Sequence, residues 1–436
     1  MSQYYQLVRH RGNQDLFRVV EMSVAALLND SPFHIQVEGM RGTGKTTIMR
    51  AARELLPPIK RIKDCLYNCD PAQPHCPIHH FLSPEEVKAI GVEEVPRPFL
   101  EISQSAKVGS VVGSIDLAKL TDPINPLAAL LPGTIPQAHR GVIFIDEINR
   151  LVDTAPELAD VLLDVMGTRP GRIQIEETGI QVVDLPVSVS IWAASNPDED
   201  PGPLSRIRKQ LADRFDLTVA MGRPDDYQDV VDILASRNRA FLPGATLGQR
   251  GGTLADCIVG QELRQALAQI YIDFSLESLR AVQAMEMASR LTAIISGRTS
   301  VTIADLVQVA PFALSHRAKD EVITEIIAYL NGLLQATVQE QAQPADNKPP
   351  LSIQAVSRWK EFCTALRMWL SAMLAKWPQL PYSGNGGGGG SGQGAGTRII
   401  DPLDTIIIAP PKEAKPITSL PDEQLVTRER NINPNG

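Results

Sequence analysis

Residues 34–49 read HIQVEGMRGTGKTTIM and give the strongest indication of the fold. Its first part has the apolar content of a short strand, and its last part continues into a helical pattern that stops before Pro57. Between them, residues 39–46 match the pattern G-x-x-x-x-G-K-[ST] at every fixed position. The glycines allow consecutive backbone N–H groups to turn toward phosphate oxygens. The strand–loop–helix order therefore predicts a phosphate-binding loop.

The residues of this loop predict how a nucleotide binds. We expect Lys45 to neutralise the β- and γ-phosphates and Thr46 to offer its hydroxyl to Mg²⁺. The helix that begins near Thr46 adds the positive end of its dipole. ATP and Mg²⁺ are therefore the predicted cofactors. The loop residues predicted to contact them are Gly39, Arg41, Gly42, Thr43, Gly44, Lys45, Thr46 and Thr47.

A pair of acids follows a second apolar stretch, VIFI at residues 142–145. Asp146 and Glu147 stand at the end of this predicted strand, where nucleotide hydrolases keep a metal-binding acid and a water-activating base. We expect Asp146 to hold Mg²⁺ through its water shell and Glu147 to polarise the attacking water. Together with the phosphate loop, the pair predicts an ATPase.

Further polar residues are candidates for recognising the γ-phosphate. Asn196 follows another predicted strand, and its amide can bond both the γ-phosphate and the attacking water. Arg214 offers planar, bidentate donation and would be an arginine finger if it reaches into a neighbouring subunit's site. Arg206 and Arg208 are the alternatives for that role. Arg280 lies in a helical region and could touch the bound nucleotide from there.

The composition is that of a globular chain with a sizeable core, since 43% of the residues are hydrophobic and 21% are charged. The net charge of −8 argues against a protein whose main role is to grip nucleic-acid phosphates. Neither a signal-peptide pattern nor a membrane-length apolar stretch is visible. Five cysteines, three of them clustered, are typical of a reducing compartment. We expect a cytoplasmic protein without membrane or nucleic-acid partners.

The order of predicted elements divides the chain into four parts. Strands separated by helices over residues 1–224 predict an α/β domain with a parallel sheet flanked by helices. Within it, alternating residues at 172–184 predict a β-hairpin. Helical periodicity predicts an all-α domain at residues 225–340. Residues 341–382 are expected to form a linker and a helix with three tryptophans, and residues 383–436 a glycine-rich tether and a disordered tail.

These motifs resemble the helix-2-insert branch of the AAA+ ATPases, and within it the magnesium chelatase ATPase subunit. The likeness covers roughly residues 13–320 and implies an AAA+ P-loop domain followed by a helical lid. On this resemblance, Asn196 is sensor 1, Arg214 is the arginine finger and Arg280 is the sensor-2 arginine. The stretches that carry it are RGTGKTT (41–47), CLYNCDP (65–71), VGSIDLAKL (112–120), AHRGVIFIDEINRL (138–151), RIQIEETGIQVV (172–183), NPDEDPGPLSRIRKQLADRFDLTV (196–219) and SGRTSVTIADLVQVAPFALSHR (296–317).

The resemblance also implies a homo-oligomeric ring, expected to be a hexamer, with nucleotide sites between subunits. Such ATPases often work with a partner that carries an integrin-I-like (VWA) metal-binding domain. The expected function is therefore an ATP-driven motor that remodels a partner complex, as in magnesium insertion. Two alternatives stay open, namely a MoxR-like chaperone ATPase that matures another protein and a nucleotide-gated scaffold with little turnover. The residues after 320 match no part of the family.

Thiols and imidazoles cluster between the phosphate loop and the acid pair. Cys65, Cys69, Cys76 and His79 have the spacing C-x3-C-x6-C-x2-H, and His80 adjoins them. Thiolates and an imidazole suit Zn²⁺ or an iron–sulfur cluster, although the spacing matches no standard zinc pattern. Reduced thiols in a surface loop are the alternative. We take the first four residues as the candidate ligands.

Overall fold

The computed structural model describes residues 4–115, 130–175, 183–235 and 252–341. All of them fall within one unit, residues 1–348, as judged from the contacts within the chain. The predicted tryptophan helix, the tether and the tail lie outside the described residues. The four domain boundaries therefore stay predictions. Among the described helices, none is both long enough and apolar enough to cross a membrane.

The described residues form short strands and helices that alternate along most of the α/β part. The strands are β1 (Ile35–Gly39), β2 (Ile59–Ile62), β3 (Val92–Val95), β4 (Phe99–Ile102), β5 (Gly113–Ile115), β6 (Leu130–Pro132), β7 (Val142–Ile145), β8 (Gly171–Ile175), β9 (Val183–Val187), β10 (Ser190–Ser195) and β11 (Leu217–Met221). The helices are α1 (Gln14–Leu27), α2 (Lys45–Ala51), α3 (Pro84–Ile90), α4 (Val108–Val112), α5 (Thr134–Gln137), α6 (Ile148–Thr154), α7 (Pro156–Val165), α8 (Leu204–Ile207), α9 (Lys209–Ala212), α10 (Tyr227–Ala235), α11 (Gln261–Asp273), α12 (Leu279–Ile295), α13 (Ile303–Leu314) and α14 (Asp320–Gln341).

The strand before the phosphate loop is part of a five-stranded parallel sheet with the order β11-β1-β10-β7-β4. Ile35 of β1 lies opposite Trp192 of β10 on one side and opposite Leu217 of β11 on the other. The carboxyl ends of parallel strands meet at one edge of a sheet, which is where ligands bind in α/β folds. The phosphate loop, the acid pair and Asn196 each follow one of these strands. The predicted α/β fold with a parallel sheet is confirmed.

Hydrophobic cores cover both faces of the sheet. Val142 and Phe144 of β7 belong to one core, whereas Ile143 and Ile145 belong to the other. Every residue of β7 and of β10 is buried. Strands buried on both faces have continuous apolar runs rather than alternation. This is why VIFI and the WAAS strand were recognisable in the sequence as core strands.

Strand β11 completes the sheet and was not identified from the sequence. Strand β11 is an apolar run of five residues, and its length is too short for periodicity to distinguish a strand from a helix. Its pairing with β1 along the whole length of both strands makes it an edge of the sheet. Helix α14 was not identified individually, but it falls almost entirely within the all-α region predicted at residues 225–340.

The segments that interrupt the α/β order form small antiparallel pairs. Strand β8 pairs with β9, with Ile175 opposite Val183, which confirms the predicted hairpin. Its second strand continues to Val187, beyond the predicted end, and its tip at residues 176–182 lies outside the described residues. Strand β5 pairs with β6 in residues 108–140, which we call the insertion before β7, and β2 pairs with β3 around the cysteine segment.

The described part of the second domain is helical, as predicted, and it is joined tightly to the sheet. Helix α12 contacts α1, and α13 contacts β11. After α13, the Ser315 hydroxyl donates to the carbonyl oxygen of Thr218 at 3.1 Å. Arg317 is almost fully buried and lies 2.9 Å from the carboxylate of Asp213, just after α9. These contacts determine where the first turn of α12, with Arg280, lies on the α/β domain.

Candidate active site

The phosphate loop is the turn between β1 and α2, and glycine is required at both of its ends. A side-chain carbon on Gly39 would lie 2.5 Å from the carbonyl oxygen of Met221 in β11. Gly44, directly before α2, has a φ of 94°, a left-handed conformation that favours glycine. As at the start of any α-helix, the first N–H groups of α2 have no intrahelical partners. Such groups are suited to phosphate oxygens.

A cavity of about 330 Å³ opens at this loop, and we call it the phosphate-loop cavity. It brings together the loop residues, both acids and Asn196. Gly39 is the one predicted loop residue that does not line it. Ser195 and Glu199 line it without having been predicted. The lining residues are Arg41, Gly42, Thr43, Gly44, Lys45, Thr46, Thr47, Asp146, Glu147, Ser195, Asn196 and Glu199.

Lys45 is held by the backbone of the loop itself. Its Nζ donates to the carbonyl oxygens of Gly39 at 2.5 Å and Met40 at 2.8 Å. Only 9% of the residue is exposed, and this burial lowers the pKa of Lys45, while neighbouring carboxylates, Asp146 first among them, act in the opposite direction. The ammonium group therefore lies at a defined place in the cavity, beside the acids that would share a Mg²⁺–phosphate complex.

Thr46 and Asp146 form the predicted metal-binding pair. The Thr46 hydroxyl donates to Asp146 Oδ2 at 3.0 Å, and both residues line the phosphate-loop cavity. Hydroxyl and carboxylate oxygens are the hard ligands that Mg²⁺ prefers, and Mg²⁺ usually keeps several of its waters. Their position next to Lys45 fits a Mg²⁺ ion that is bound together with nucleotide phosphates.

Glu147 lies in a network of charge-assisted hydrogen bonds. It precedes α6 with φ 54° and ψ 50°, a left-handed conformation that is uncommon for a residue with a side chain. Its Oε2 accepts from Gln104 Nε2 at 2.6 Å and lies 3.3 Å from Arg150 Nη1. The other terminal nitrogen of Arg150 donates to Glu199 at 2.8 Å. Two donors thus hold the carboxylate of the proposed base in one place.

Sequence reasoning missed Gln104, Arg150 and Glu199. Arg150 stands three residues after Glu147 in the chain, and this helical spacing of opposite charges was the available signal. Gln104 carries no motif. It reaches Glu147 because it follows β4, and β4 is the neighbour of β7 in the sheet. Only the strand order could have identified it.

Asn196 lies directly after β10 and lines the phosphate-loop cavity. Its side-chain oxygen accepts from the backbone N–H of Asp198 at 3.3 Å. Its own carbonyl oxygen accepts from Asn149 Nδ2 at 3.2 Å, which ties the end of β10 to α6. The amide group is thereby placed on the same cavity as the loop and the acids, as a phosphate sensor requires.

A second cavity, of about 640 Å³, lies between the α/β domain and the start of α12, and we call it the arginine cavity. It shares no lining residue with the phosphate-loop cavity. Its four arginines are Arg169, Arg214, Arg280 and Arg317.

Arg214 and Arg280 lie side by side on the arginine cavity. Both donate to the carbonyl oxygen of Gly167, at 3.4 Å and 3.2 Å. Burial lowers the pKa of Arg280, and the charge of Arg214 acts in the same direction. Arg280 also lies 3.7 Å from Asp213, whereas Arg214 forms no ion pair with a described carboxylate. The two arginines are thus brought together with each other rather than with the phosphate loop.

The other arginines considered for the finger role lie elsewhere. Arg206 on α8 is exposed, and Arg208 lies 3.6 Å from the carboxylate of Asp160. Neither lines the phosphate-loop cavity or the arginine cavity. Of the three candidates, Arg214 alone lines one of these two cavities.

The four candidate ligands of the cysteine segment also converge. Cys65, Cys69, Cys76 and His79 each offer one ligand atom, and these atoms lie within 4.8 Å of one another. None of the four residues lines either cavity. This cluster is therefore a separate feature of the α/β domain.

Comparison with known proteins gives the same family as the motifs. A family model described as magnesium chelatase, subunit ChlI, matches residues 11–199, and one described as AAA lid domain matches residues 264–328. The magnesium-chelatase 38 kDa subunit of Acidiphilium rubrum is 30% identical over 306 residues, which are 66% of this chain and 85% of that protein. The chloroplastic magnesium-chelatase subunit ChlI of Chlamydomonas reinhardtii is 30% identical over 332 residues, or 70% and 75%.

Among solved structures, a chain from the cryo-EM-based complex between subunits BchI and BchD of magnesium chelatase has a TM-score of 0.41 and 24% identity, covering 74% of this chain and 98% of that chain. The family assignment rests on the sequence matches. The first family model contains the phosphate loop, the acid pair and Asn196, and the second contains Arg280. Identity of 30% extends over most of both chains. The resemblance expected from the motifs is confirmed, and the chain belongs to the magnesium chelatase ChlI family of AAA+ ATPases.

Proposed function

We propose that the chain hydrolyses ATP at sites that a neighbouring copy of the chain completes, and that it serves as the motor of a chelatase-like complex. The proposal rests on one observation, that the residues of the phosphate-loop cavity and those of the arginine cavity lie at separate places in the same chain. The phosphate-loop cavity has the groups that bind a nucleotide and activate water, and the arginine cavity has the groups that stabilise a charged transition state. The two cavities share no lining residue, so Arg214 lies away from Lys45 and Glu147 of its own chain.

In the proposed mechanism the phosphate-loop cavity binds the triphosphate. Lys45 neutralises the β- and γ-phosphates, and Thr46 and Asp146 would hold Mg²⁺, which would supply positive charge beside the phosphoryl oxygens. The Glu147 carboxylate accepts a hydrogen bond from the attacking water and draws its proton. Gln104 is a positioning residue that keeps this carboxylate oriented.

The groups that sense the γ-phosphate come from two copies of the chain. Within one copy, the Asn196 amide orients the γ-phosphate and the water. From the next copy, Arg214 donates to the γ-phosphoryl oxygens as charge develops on them, and Arg280 assists beside it. Such a head-to-tail contact is heterologous, and repeating it around an axis gives a closed ring. A hexamer is the ring that the family resemblance implies.

The proposed partners are the other subunits of a metal-inserting complex. The curated relatives are by name subunits of magnesium chelatase, which implies an assembly with further components. Their names favour this role over a MoxR-like chaperone ATPase. We expect one partner to carry an integrin-I-like metal-binding domain and hydrolysis to remodel it through motion of the lid and the insertions. The cytoplasmic location stays a prediction.

A nucleotide-gated scaffold with little turnover is the alternative of a different class. Such a scaffold needs a phosphate loop but no ordered base. Here Glu147 is held by Gln104 and Arg150, and Thr46 pairs with Asp146. These contacts favour hydrolysis, and a turnover measurement distinguishes the two.

Mixing inactive variants tests the shared site. Glu147→Gln removes the base from one cavity and Arg214→Ala removes the finger from the other, so each variant alone should lose steady-state ATP hydrolysis. A 1:1 mixture should recover about a quarter of wild-type activity, because that share of head-to-tail interfaces pairs an intact base with an intact finger. Activity is measured as phosphate release.

The matched control combines two lesions of the same cavity. A mixture of Glu147→Gln and Lys45→Ala contains no intact phosphate-loop cavity, so it should stay inactive if hydrolysis uses one cavity of each kind. Recovery in this control, or none in the first mixture, would contradict the shared site. A wild type that binds ATP without turnover, even with its partner subunits, would favour the scaffold.

A further inference from the structure

The segment between β2 and α3 brings three thiols and an imidazole to one point in the protein. Cys65, Cys69 and Cys76 are at most 2% exposed, and His79 is partly buried. One ligand atom from each residue lies within 4.8 Å of the other three. Turns at residues 65–68, 70–73 and 76–79 connect them along the chain, so the convergence is a property of the folded segment.

The backbone around the thiols is arranged to donate to sulfur. The N–H groups of His75 and Cys76 point at Cys69 Sγ, at 3.4 Å and 3.3 Å. The ring nitrogen Nδ1 of His75 lies 3.3 Å from the same sulfur, and His75 stacks on His139 with ring centroids 3.8 Å apart. Hydrogen bonds to a ligand atom and packing behind them are the outer contacts that orient metal ligands.

The kinds of ligand and the distances between their ligand atoms indicate which metal the cluster would bind. Zn–S bonds of about 2.3 Å in a tetrahedron place neighbouring thiolate sulfurs about 3.8 Å apart, which agrees with ligand atoms that all lie within 4.8 Å. Three cysteines and one histidine are a frequent closed zinc set. An iron–sulfur cluster places several atoms between its thiolates and therefore needs them further apart. Four protein ligands leave no open position, so the site is suited to a structural role.

The segment is in contact with the insertion before β7. Asn68 Nδ2 donates to the carbonyl oxygen of Gln137 in α5 at 2.6 Å, and the Tyr67 hydroxyl to that of Leu130 in β6 at 3.4 Å. Asp70 pairs with Arg140 at 3.1 Å. An ion that ties the thiols together would hold these three contacts in register.

We propose that Cys65, Cys69, Cys76 and His79 bind one Zn²⁺ ion in a closed tetrahedral site that fixes the segment between β2 and α3 against the insertion. The site is distinct from the phosphate-loop cavity and does not take part in hydrolysis.

Metal analysis of the full-length protein tests this site. Wild type, purified with reductant and dialysed against metal-free buffer, should contain about one zinc and no iron per chain by mass spectrometry. X-ray absorption at the zinc edge should give three sulfurs at about 2.3 Å and one nitrogen at about 2.0–2.1 Å. The proposal would be overturned by substoichiometric zinc or by iron with visible cluster absorption. A disulfide among these cysteines in protein purified with reductant would also overturn it.

Variants assign the ligands. Cys76→Ser should lower zinc content at least about tenfold, whereas Cys257→Ser, at a buried cysteine outside the cluster, should keep one zinc per chain. Because Cys76→Ser could fail to fold, the same assignment is made on wild type. A mercurial thiol reagent should release one zinc, detected with a dye, and preloading with ATP should not prevent it. Glu147→Gln should retain its zinc, which separates this proposal from the proposed hydrolysis.

Discussion

The phosphate-loop cavity and the arginine cavity lie on the same α/β domain but are built in different ways. The first is formed by residues that follow neighbouring strands of one sheet, so a single structural rule brings them together. The second is formed by the turn after α7, the turn after α9 and the start of α12 in the lid. Its residues are neighbours only because the lid packs on α1 and β11.

Because of this difference, substitutions in the two cavities should affect the proposed ATP hydrolysis in different ways. Residues of the phosphate-loop cavity are proposed to act within their own chain, so a substitution there should disable one site. Residues of the arginine cavity are proposed to act on a neighbour, so their effect depends on assembly and on the lid. The following predictions test that contrast.

The largest effect is expected for Arg214. Arg214→Ala should lower kcat about 10³–10⁵-fold, the range known for arginine fingers, while ATP binding to the single chain stays near wild type. Arg206→Ala, which alters an exposed arginine that lines neither cavity, should stay within about threefold of wild type. Phosphate release and a fluorescent ATP analogue measure the two properties. An inactive Arg206→Ala with an active Arg214→Ala would move the finger to α8.

The next effect is expected for Arg280 and tests which copy it serves. Arg280→Ala should lower kcat about 10²–10³-fold, as for the loss of one oriented donor. Mixed with Glu147→Gln, it should recover activity if Arg280 acts on the neighbour's nucleotide. If it touches the nucleotide of its own chain, no site in the mixture is intact, and the mixture stays inactive.

A smaller effect is expected where Gln104 holds the base. Gln104→Leu removes the 2.6 Å hydrogen bond to Glu147 and leaves Arg150 as its remaining donor. Misorientation of the carboxylate should lower kcat about tenfold to a hundredfold without changing KM for ATP. If KM rises and kcat stays unchanged, Gln104 supports ATP binding rather than the orientation of Glu147.

The smallest effect concerns the pH dependence of the arginine cavity. His34 is buried there; its ring Nδ1 accepts from the backbone N–H of Ile191, and its backbone N–H donates to the carboxylate of Asp216. Burial, followed by the charges of Arg169 and Arg280, lowers the pKa of His34 to about 3.

The sign follows from proton uptake by the unfolded chain. Below about pH 6.5 the unfolded chain binds a proton that the folded chain refuses until about pH 3, so stability is lost as pH falls through this window. From pH 7 to pH 5 the loss from His34 is about 2 kcal/mol. Asn in His34→Asn keeps an acceptor for the N–H of Ile191 but cannot titrate. Between pH 7 and pH 5, the free energy of unfolding of this variant should therefore fall by about 2 kcal/mol less than that of wild type. Denaturant titrations at both pH values measure this difference. Equal losses of unfolding free energy in wild type and His34→Asn would contradict the prediction.

Most residues of the phosphate-loop cavity were predictable from the sequence because they belong to motifs of consecutive residues. The phosphate loop is eight consecutive residues, and Asp146 and Glu147 follow an apolar strand directly. The strands after which these residues stand were recognisable from their buried runs. Gln104 and Glu199 were not, because their relation to Glu147 depends on the order β10-β7-β4 and on the turn after β10.

The phosphate loop, the acid pair, the parallel α/β sheet and the helical lid were predictable from the amino-acid sequence, since each depends on short-range pattern and elementary backbone chemistry. The position of Arg280 beside Arg214 and away from Lys45 depends on long-range packing, because α12 is anchored through α13, β11 and the ion pair of Arg317 with Asp213. The convergence of Cys65, Cys69, Cys76 and His79 also depends on the folded structure, because turns rather than a regular repeat bring their ligand atoms together.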